Sequence, residues 1–501
     1  MKKLLLLCCL TLCVLTARPQ ANLKVYYGLL HAHTMLSDGS GTPEEAYAMA
    51  KANGLDFFAI TEHNHAKAED SGDERKDGVL IATDPRLYNG QNNVTVTRRW
   101  TENGQQQTET ISVKPLIKAA AAATTQTFLA LYGQEFSTIT SGNHVNVFGL
   151  PEVITVPNGN FKGFFDLLRQ YDSNGLNAVV QLNHPDVHKD LFYKGDDNSV
   201  KKNMYNDYGI DAGDLGPDFD NWVKTQSQYT HLIEVLTGPA LSKVYRDYKP
   251  LEEEYFFYLK QGLRISPTAG QDNHYRTWGS ITDARTGVLS ESLSEKDILN
   301  AFRNNRTFAT EDKNLKVVLQ VNDATMGSAI NATAESELKI KVSISDTDEP
   351  NATYDLQIVG GAIKPELSTM AIDWKVEDGI LLTKNNVNGG DVPLTGLFAA
   401  AEPSFYYIRI TQNSGQKKDR AWTAPVWVNL NNAAANVTLT MPTVVPASFY
   451  WTSSSSSQVY HKKGCRSIDL IKPENLRSGD IPPAGRTLHA CVIETNAEQE
   501  P

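Results

Sequence analysis

Short apolar runs alternate with amphipathic segments over the first part of the chain, up to about Asp312. The apolar runs predict strands at Val25 to Leu30, Asp56 to Ile60, Phe128 to Tyr132, Val145 to Phe148, Ala178 to Leu182, Leu232 to Leu236 and Arg264 to Ala269. The amphipathic segments predict helices at Pro115 to Thr124, Phe161 to Asn174, Leu251 to Gln261 and Glu295 to Asn304. This alternation is typical of βα units around a mostly parallel sheet.

The helix after the first strand has the clearest boundaries. Thr42 and Glu45 are spaced as a capping box, and Pro43 suits the first helical position. Gly54 is predicted to end the helix. Two polar stretches, Lys67 to Thr110 and His188 to Asp218, are too long for ordinary connections, so we expect insertions over one face.

After Asp312 the pattern changes to strict alternation without a convincing helix. The alternating segments are Leu315 to Val321, Leu338 to Ile344, Tyr354 to Val359, Phe405 to Ile410 and Ala424 to Val428. Turn residues separate them, which favours an all-β sandwich of immunoglobulin-like size. The predicted domains are therefore an α/β domain over 22–312, a β sandwich over 313–447, a Ser-rich linker over 448–458 and a small tail over 459–501.

Composition indicates a globular protein of two or three domains, with 501 residues and 41% hydrophobic content. Acidic residues exceed basic ones by 58 to 47, for a net charge of -11. Such a balance argues against nucleic acid as the main partner, because neutralising a phosphate backbone requires a basic surface.

The N-terminal residues 1–21 have the pattern of a secretory signal peptide. Lys2 and Lys3 precede an apolar run, and small residues follow around Ala17 and Ala21. The run is too short for a transmembrane helix, and no later stretch is long enough, so no transmembrane segment is expected. We therefore predict a periplasmic or secreted protein. A lipoprotein anchored through Cys13 is disfavoured, because bulky Leu12 precedes that cysteine.

Side chains that bind metals follow the ends of five predicted strands. His31 and His33 alternate just after the first strand, so both imidazoles can face one ion. The other strand-end residues are Asp38, His63, Glu135, His184, Asp272 and His274. In a closed α/β barrel these strand ends meet at one rim, where such folds build active sites. Clustered imidazoles and carboxylates would be costly to bury unless divalent cations neutralised and coordinated them.

These motifs together resemble the PHP (polymerase and histidinol phosphatase) metallohydrolase superfamily. The similar segments are His31-Ala32-His33-Thr34, Ser37-Asp38-Gly39, Thr42-Pro43-Glu44-Glu45, Thr61-Glu62-His63-Asn64, Gly133-Gln134-Glu135, Gly142-Asn143-His144, Asn183-His184-Pro185 and Gly270-Gln271-Asp272-Asn273-His274. The resemblance spans about Tyr27 to Thr310 and implies a distorted (β/α)7 barrel with two or three metals. The appended β domain and Arg306-Thr307-Phe308 are similar to a secreted or carbamate-hydrolysing branch.

The resemblance also implies how the ligands divide among the metals. His31, His33, Glu135 and Asp272 are similar to the ligands of one ion, and Glu135 is similar to a bridge to a second ion held by His144 and His184. Asp38, His63 and His274 are similar to the ligands of a third. Glu62 departs from the family, which usually has Asp before this histidine; that leaves the role of Glu62 open. Mixed imidazole and carboxylate ligands suit Zn, Mn and Fe alike.

The implied function is a secreted metal-dependent hydrolase. A metal-bridging hydroxide would be the nucleophile, and a third metal suits a small phosphorylated ester, which makes phosphoester hydrolysis the leading reaction. One alternative is an enzyme of the same fold that cleaves a carboxyl or carbamate ester. The other is a surface protein whose β sandwich binds a glycan or a partner while the barrel is a non-catalytic scaffold.

Several further residues have two interpretations each. His65 could assist catalysis or hold substrate, or be merely exposed, and Arg276 could bind a phosphate or form a surface ion pair. Glu234, in an apolar strand, could orient a metal ligand or satisfy backbone groups. Cys465 and Cys491, the cysteines that remain after signal removal, could form a disulfide or contribute to a zinc site with nearby histidines.

Overall fold

The computed structural model describes most of the chain between residues 23 and 488. The described ranges are 23–63, 75–136, 144–154, 156, 161–173, 175, 177–185, 192–194, 200–202, 228–240, 242–244, 250–364, 375–414, 417–430, 449–453, 457–462, 471, 475–479, 483 and 486–488. The predicted signal peptide 1–21, His65, Cys465 and Cys491 lie outside these ranges. The chain divides into two compact units, 1–431 and 432–501.

The described helices number six, all in the first unit. They are α1 (Pro43–Ala52), α2 (Val79–Thr83), α3 (Leu116–Ala123), α4 (Phe161–Ser173), α5 (Glu252–Lys260) and α6 (Glu295–Arg303). The capping box at α1 is formed as predicted: Glu45 N–H bonds to the Thr42 hydroxyl, and Glu45 Oε2 accepts from Thr42 N–H. The helix ends at Ala52, and Gly54 follows with φ of +79°.

Strands dominate the described residues of the first unit. Up to residue 310 they are β1 (Lys24–Leu29), β2 (Phe57–Glu62), β3 (Arg75–Asp77), β4 (Val94–Glu102), β5 (Gln105–Val113), β6 (Leu129–Phe136), β7 (Val145–Phe148), β8 (Val179–Leu182), β9 (Phe192–Lys194), β10 (Val200–Lys202), β11 (Thr230–Leu236), β12 (Ser266–Ala269), β13 (Arg285–Ser290) and β14 (Thr307–Thr310). The seven strands predicted in this part are all present.

The later strands of the first unit form what we call the second β region, residues 315–430. They are β15 (Lys316–Val321), β16 (Ala324–Thr325), β17 (Ala329–Ala332), β18 (Ile340–Ser345), β19 (Thr353–Ala362), β20 (Ile380–Asn388), β21 (Gly390–Leu394), β22 (Ser404–Ser414), β23 (Lys417–Thr423) and β24 (Val426–Leu430). The second unit contains β25 (Phe449–Thr452), β26 (Val459–Lys462), β27 (Leu476–Gly479) and β28 (Thr487–Leu488), paired in the order β27-β25-β26-β28.

A mixed sheet organises the first part of the chain, in the order β12-β11-β8-β7-β6-β2-β1-β13-β14. β1, β2 and β6 are parallel neighbours, as are β8, β11 and β12. β7 runs antiparallel to both β6 and β8, and β13 and β14 are antiparallel additions beyond β1. The fold is thus mixed α/β and rich in sheet, with more antiparallel pairing than a mostly parallel sheet has.

This sheet, which we call the curved sheet, bends back on itself. β12 stands at one end of the strand order, yet Ala269 N–H donates to Thr286 Oγ1 of β13 at 2.8 Å. Thr307 Oγ1 of β14 donates to the carbonyl of Pro267 in β12 at 2.8 Å. Side-chain hydroxyls therefore connect strands at opposite ends of the order, and the loops after the parallel strands come close together.

The curved sheet continues into the second β region, because β14 pairs antiparallel with β23. From β23 the order runs β22-β19-β20, and a separate sheet has the order β16-β15-β18-β21. A second hydrophobic core, with Val317, Val342, Ile358 and Ile408 at most 1% exposed, lies in this region. The polar stretch 67–110 contains β3, β4 and part of β5, which form a small sheet of their own.

The main core of the curved sheet lies between its strands and the helices around it. Phe58, Ile60, Val180 and Ile233 are all fully buried in it. Among the described residues, no helix has both the length and the apolar character needed to cross a bilayer.

Candidate metal centre

The nine side chains predicted as metal ligands all lie at one rim of the curved sheet. His31 and His33 follow β1, His63 follows β2, His184 follows β8, and Asp272 and His274 follow β12. Glu135 is next to the last residue of β6. His144 precedes β7, and since β7 is antiparallel its start meets the end of β6, where Phe136 pairs with Val145. We call these residues and Asp38 the histidine-rich centre.

Glu135 is the hub of the histidine-rich centre. Its carboxylate is buried, and imidazole nitrogens surround both oxygens. Oε2 lies 3.1 Å from His33 Nε2 and 3.1 Å from His63 Nδ1. Oε1 lies 3.1 Å from His31 Nε2, 3.0 Å from His144 Nδ1 and 3.5 Å from His184 Nε2. One carboxylate thus contacts five of the predicted ligands.

Asp272 completes a group with the histidines after β1. Its Oδ1 lies 3.1 Å from Nε2 of both His31 and His33, and these two nitrogens are 3.3 Å apart. The backbone of Asp272 has φ of +47° and that of His184 has φ of +28°. Positive φ is uncommon for residues other than glycine, although Asp, Asn and His adopt it more readily than most, and it recurs at functional sites.

Asp38 holds a further group on the exposed side of the centre. Its Oδ1 is 3.2 Å from His274 Nε2, and its Oδ2 is 3.7 Å from His63 Nε2. The Asp38 side chain is half exposed, whereas Glu135 is buried. This group is therefore the more solvent-exposed part of the centre.

Ligand-capable atoms within 4.8 Å of one another define three groups in the described residues around this rim. They are His31, His33, Glu135 and Asp272; then His33, Asp38, His63 and His274; then His63, Glu135 and His144. His184 is in none of these groups, although its ring lies 4.9 Å from that of His144. The structure thus brings all nine predicted ligands together, while their assignment to particular ions stays a prediction.

The donor set fits divalent metal ions. Glu135 Oε2, His63 Nδ1 and His144 Nε2 are buried atoms with no hydrogen-bond partner among the described residues. Glu135 Oε2 is close to two imidazoles but lacks hydrogen-bond geometry with either. Nitrogen and oxygen ligands about 2.1 Å from one ion lie roughly 3.0 to 3.4 Å apart, which the 3.1 Å contacts match.

The pKa shifts of the side chains in the centre also fit a bound cation. Burial alone raises the pKa of Glu135, but the imidazoles of His31, His63 and His144 hold it well below its usual range. Burial alone lowers the pKa of His33, yet the hydrogen bond with Asp272 and the nearby Glu135 carboxylate raise it to about 10. Burial lowers the pKa of His63 to about 3 in spite of the Glu135 carboxylate. Without a metal, protons on some imidazoles balance the carboxylates; a bound cation would displace them.

Glu234 supports the centre from beneath the rim. Its Oε1 lies 2.9 Å from His31 Nδ1, and its Oε2 accepts from the backbone N–H of His184 at 2.8 Å. A carboxylate on Nδ1 fixes the imidazole tautomer and leaves Nε2 as the ligand atom. A Cβ at Gly270 would overlap Glu234 Oε1, so glycine there leaves space for this carboxylate. Glu234 therefore satisfies a backbone N–H and contacts a predicted ligand, while its role in orienting a metal ligand stays a prediction.

Glu62 lies behind the ligands rather than among them. Its carboxylate is buried and accepts from the backbone N–H of Thr34 at 3.0 Å and from the hydroxyls of Thr34 and Ser37. The side chain thus ties down the loop between His33 and Asp38. Its sequence signal was its position before His63. Asn183, whose Nδ2 donates to Glu135 Oε1 at 2.9 Å, had only its place beside His184 as a signal.

The candidate Arg276 and two other side chains, Trp278 and His231, lie in different settings. Arg276 is 62% exposed and contacts Glu45 Oε2 at 3.2 Å. Trp278 is buried and donates from Nε1 to the carbonyl of His33 at 3.1 Å. His231 lies in β11, buried away from the three ligand groups.

Comparisons with known proteins add distant similarities. No family model matches the chain. An uncharacterized protein of Chlamydia muridarum is 26% identical over 34% of this chain and 28% of its own length. One of Chlamydia trachomatis is 24% identical over 45% of this chain and 37% of its own length. The chain thus spans about a third of these curated relatives.

Among solved structures, a two-domain protein from Bacteroides vulgatus that contains a predicted PHP-like metal-dependent phosphoesterase is similar at 14% identity. The similarity covers 78% of this chain and 92% of that protein, with a TM-score of 0.35.

Proposed function

We propose that the protein is a metal-dependent hydrolase of the PHP type that acts on small phosphate esters. The observation that carries this proposal is the histidine-rich centre, where imidazole nitrogens lie 3.1 Å from buried Glu135 Oε2 without hydrogen-bonding to it. A structural role alone would leave such polar atoms unsatisfied at a considerable cost.

The centre has the residues to hold two or three ions of Zn, Mn or Fe. His31, His33 and Asp272 would hold one, and Glu135 would be shared with a second held by His144 and His184. Asp38, His63 and His274 would hold a third. When bound, these cations lower the pKa of water and neutralise charge on the departing oxygen of an ester.

The protein's own groups position this chemistry. Glu234 and Ser37 lie on the Nδ1 side of His31 and His33, at 2.9 and 3.4 Å, which directs both Nε2 atoms towards Glu135 and Asp272. Glu62 holds the loop that carries Asp38. Arg276 stays a candidate for binding an anionic substrate, provided that it exchanges Glu45 for the substrate. His65 stays a candidate for assisting catalysis.

The finer architecture belongs to the same proposal. The curved sheet corresponds to a distorted (β/α)7 barrel over 22–312, and the second β region to an immunoglobulin-like sandwich over 313–447, followed by the linker 448–458 and the Cys/His tail 459–501. Residues 1–21 would direct the chain to the periplasm or the exterior. A disulfide and a zinc site stay alternatives for Cys465 and Cys491.

Metal analysis combined with a substrate panel tests the proposal. The full chain would be purified, analysed for bound Zn, Mn and Fe, and assayed against phosphate monoesters, phosphate diesters, neutral aryl esters and aryl carbamates. We expect at least one ion per chain and turnover of a phosphate ester. Turnover confined to the uncharged esters would replace phosphoesterase by the carboxyl or carbamate ester alternative. If the purified chain holds no metal and turns over none of these substrates, the proposal of a hydrolase is refuted.

A further inference from the structure

Three carboxylates meet in the first unit far along the chain from the histidine-rich centre. Asp312 follows β14, and Asp346 and Glu349 follow β18. Each contributes an oxygen that lies within 4.8 Å of the other two. Asp312 is 7% exposed, Asp346 is 8% exposed, and Glu349 is half-buried. We call these three residues the acidic cluster.

Within the described part of the chain, no Lys, Arg or His side chain forms an ion pair with the acidic cluster. Lys313, the nearest cation along the sequence, lies 3.1 Å from Asp283 instead. Burial and the charges of Asp346 and Asp312 raise the pKa of Tyr354 to about 12 and also raise the pKa of Glu349. Like charges are thus concentrated here without the imidazoles that balance the histidine-rich centre.

Two residues that donate hydrogen bonds to these carboxylates, Gln412 and Asn314, each have a side-chain oxygen without a partner. Gln412 is 1% exposed, and its Nε2 donates to Asp346 Oδ2 at 2.8 Å, so its amide faces the acidic cluster. Its Oε1, like Glu349 Oε2 and Asn314 Oδ1, is buried and has no hydrogen-bond partner among the described residues. Buried polar atoms in native proteins are normally satisfied. These unpartnered oxygens therefore indicate a missing partner that oxygen ligands can bind, such as a cation.

The carboxylates themselves are held in place by the backbone. Asp312 Oδ1 accepts from the N–H groups of Asn314 and Leu315 at 2.7 and 2.9 Å. Asp346 Oδ1 accepts from the N–H groups of Asp348 and Glu349 at 2.9 and 3.0 Å. Asp312 Oδ2 is thus left for other interactions, and Asp346 Oδ2 accepts from the Gln412 amide and has a further lone pair.

We propose that the acidic cluster binds one Ca²⁺ ion. Every available donor is an oxygen, which favours a hard cation over Zn. Ca²⁺ accepts six to eight oxygens in irregular arrangements and shares them among carboxylates, amides and water, whereas Mg²⁺ demands near-octahedral geometry. The site is separate from the proposed hydrolase site and does not depend on it.

A Ca²⁺ ion bound here would stabilise the junction between the curved sheet and the second β region. Tyr27 in β1 donates to the carbonyl of Asn314 at 2.9 Å, while Gln412 lies in β22. The acidic cluster therefore lies where the curved sheet meets both sheets of the second β region. Since an ion that binds only the folded chain shifts unfolding to higher temperature, Ca²⁺ should raise the melting temperature.

The test compares full-length variants with Ca²⁺ as the probe. Glu349→Gln removes a charge from an oxygen that has no partner, and Asp346→Asn preserves shape, so both should fold. We expect one Ca²⁺ per chain by calorimetry and a saturable rise in melting temperature, with affinity at least about tenfold weaker in either variant. Asp283→Asn, which removes a surface acid, is the matched control and should bind normally. His33→Ala should also retain this Ca²⁺ response.

Three results would overturn the site. One is Ca²⁺ binding that is unchanged in both Glu349→Gln and Asp346→Asn. Another is a response lost in His33→Ala, which would place the ion at the histidine-rich centre. The third is a wild-type chain that shows no Ca²⁺ response, in which case a shared proton holds the carboxylates together.

Discussion

The histidine-rich centre and the acidic cluster bury carboxylates in different ways. Both carboxylate oxygens of Glu135 and Oδ1 of Asp272 each have an imidazole nitrogen 3.1 Å away. Around Asp312 and Asp346, the described contacts are backbone N–H groups and the amide of Gln412. The first region has imidazoles that can carry balancing positive charge, and the described contacts of the second include no such group.

The difference bears on which ions each region selects. Imidazoles exchange protons for borderline metals such as Zn, so metal binding at the histidine-rich centre should release protons and strengthen as pH rises. Oxygen ligands without titrating imidazoles suit a hard ion and bind it with little dependence on pH near neutrality. Two metal sites of different chemistry in one unit would therefore be filled independently.

The largest effect is expected from Asp272→Asn. The substitution removes the carboxylate shared by His31 and His33, while asparagine tolerates the positive φ at this position. Loss of an outer partner costs roughly 10- to 100-fold in metal affinity, so loss of a ligand should cost more, above about 1,000-fold in turnover. Metal analysis, circular dichroism and activity would be measured on the same preparation.

The response to Ca²⁺ provides a control for the Asp272→Asn prediction. Asp272→Asn should keep the wild-type rise in melting temperature with Ca²⁺, because the acidic cluster is untouched. Wild-type turnover in Asp272→Asn would remove Asp272 from the proposed hydrolase site.

His231 shows what a buried imidazole does without carboxylates. Burial and the charge of Arg303 lower its pKa to about 4. A histidine with a lowered folded-state pKa is stabilising above its unfolded value near 6.5 and loses that contribution as pH falls towards 4. The contribution at stake is roughly 3 kcal/mol of unfolding free energy. Urea unfolding at pH 7 and pH 4.5 should show a smaller acid loss in His231→Gln than in wild type; parallel losses would contradict this.

The sequence predicts which side chains meet at the rim better than it predicts their surroundings. Hydrophobic runs followed by His or Asp mark the rim, because parallel strands end at one edge of a sheet. β13 and β14 were missed, since Arg285 and several Thr residues interrupt their apolar character. The backbone pairing of β14 with β23 joins residues over a hundred positions apart, which no local pattern reveals.

The acidic cluster was also missed for a physical reason. Asp346 and Glu349 look like ordinary turn residues in the sequence, and burial by Gln412 from a distant strand is what makes them unusual. Glu234, by contrast, was noticed in the sequence, because a lone acidic residue in an apolar strand requires a polar partner.

A smaller effect is expected from Glu234→Gln. The amide keeps the shape but replaces one acceptor of the His31 and His184 contacts by a donor. We expect metal affinity at the histidine-rich centre to fall roughly 10- to 100-fold, as for other outer-shell partners. Gly270→Ala should act in the same direction, because its Cβ would displace the same carboxylate.

Competition titrations with a zinc-selective dye would measure both variants. Gly279→Ala offers a matched glycine control away from Glu234, although its φ of +74° adds a backbone cost. Zinc affinity should be unchanged in this control. Equal affinities in wild type, Glu234→Gln and Gly270→Ala would show that Glu234 does not orient His31.

The smallest effect concerns the acidic cluster in the absence of added ions. With Ca²⁺ removed by a chelator, Glu349→Gln should raise the unfolding free energy by less than about 1 kcal/mol, since one of three neighbouring negative charges is gone. With saturating Ca²⁺ the order should reverse, because only the wild type retains its full ligand set. Urea unfolding in both conditions gives the two differences. A variant that is less stable than wild type in both conditions would mean that Glu349 stabilises the fold by direct contacts, and the contrast between the two regions would fail.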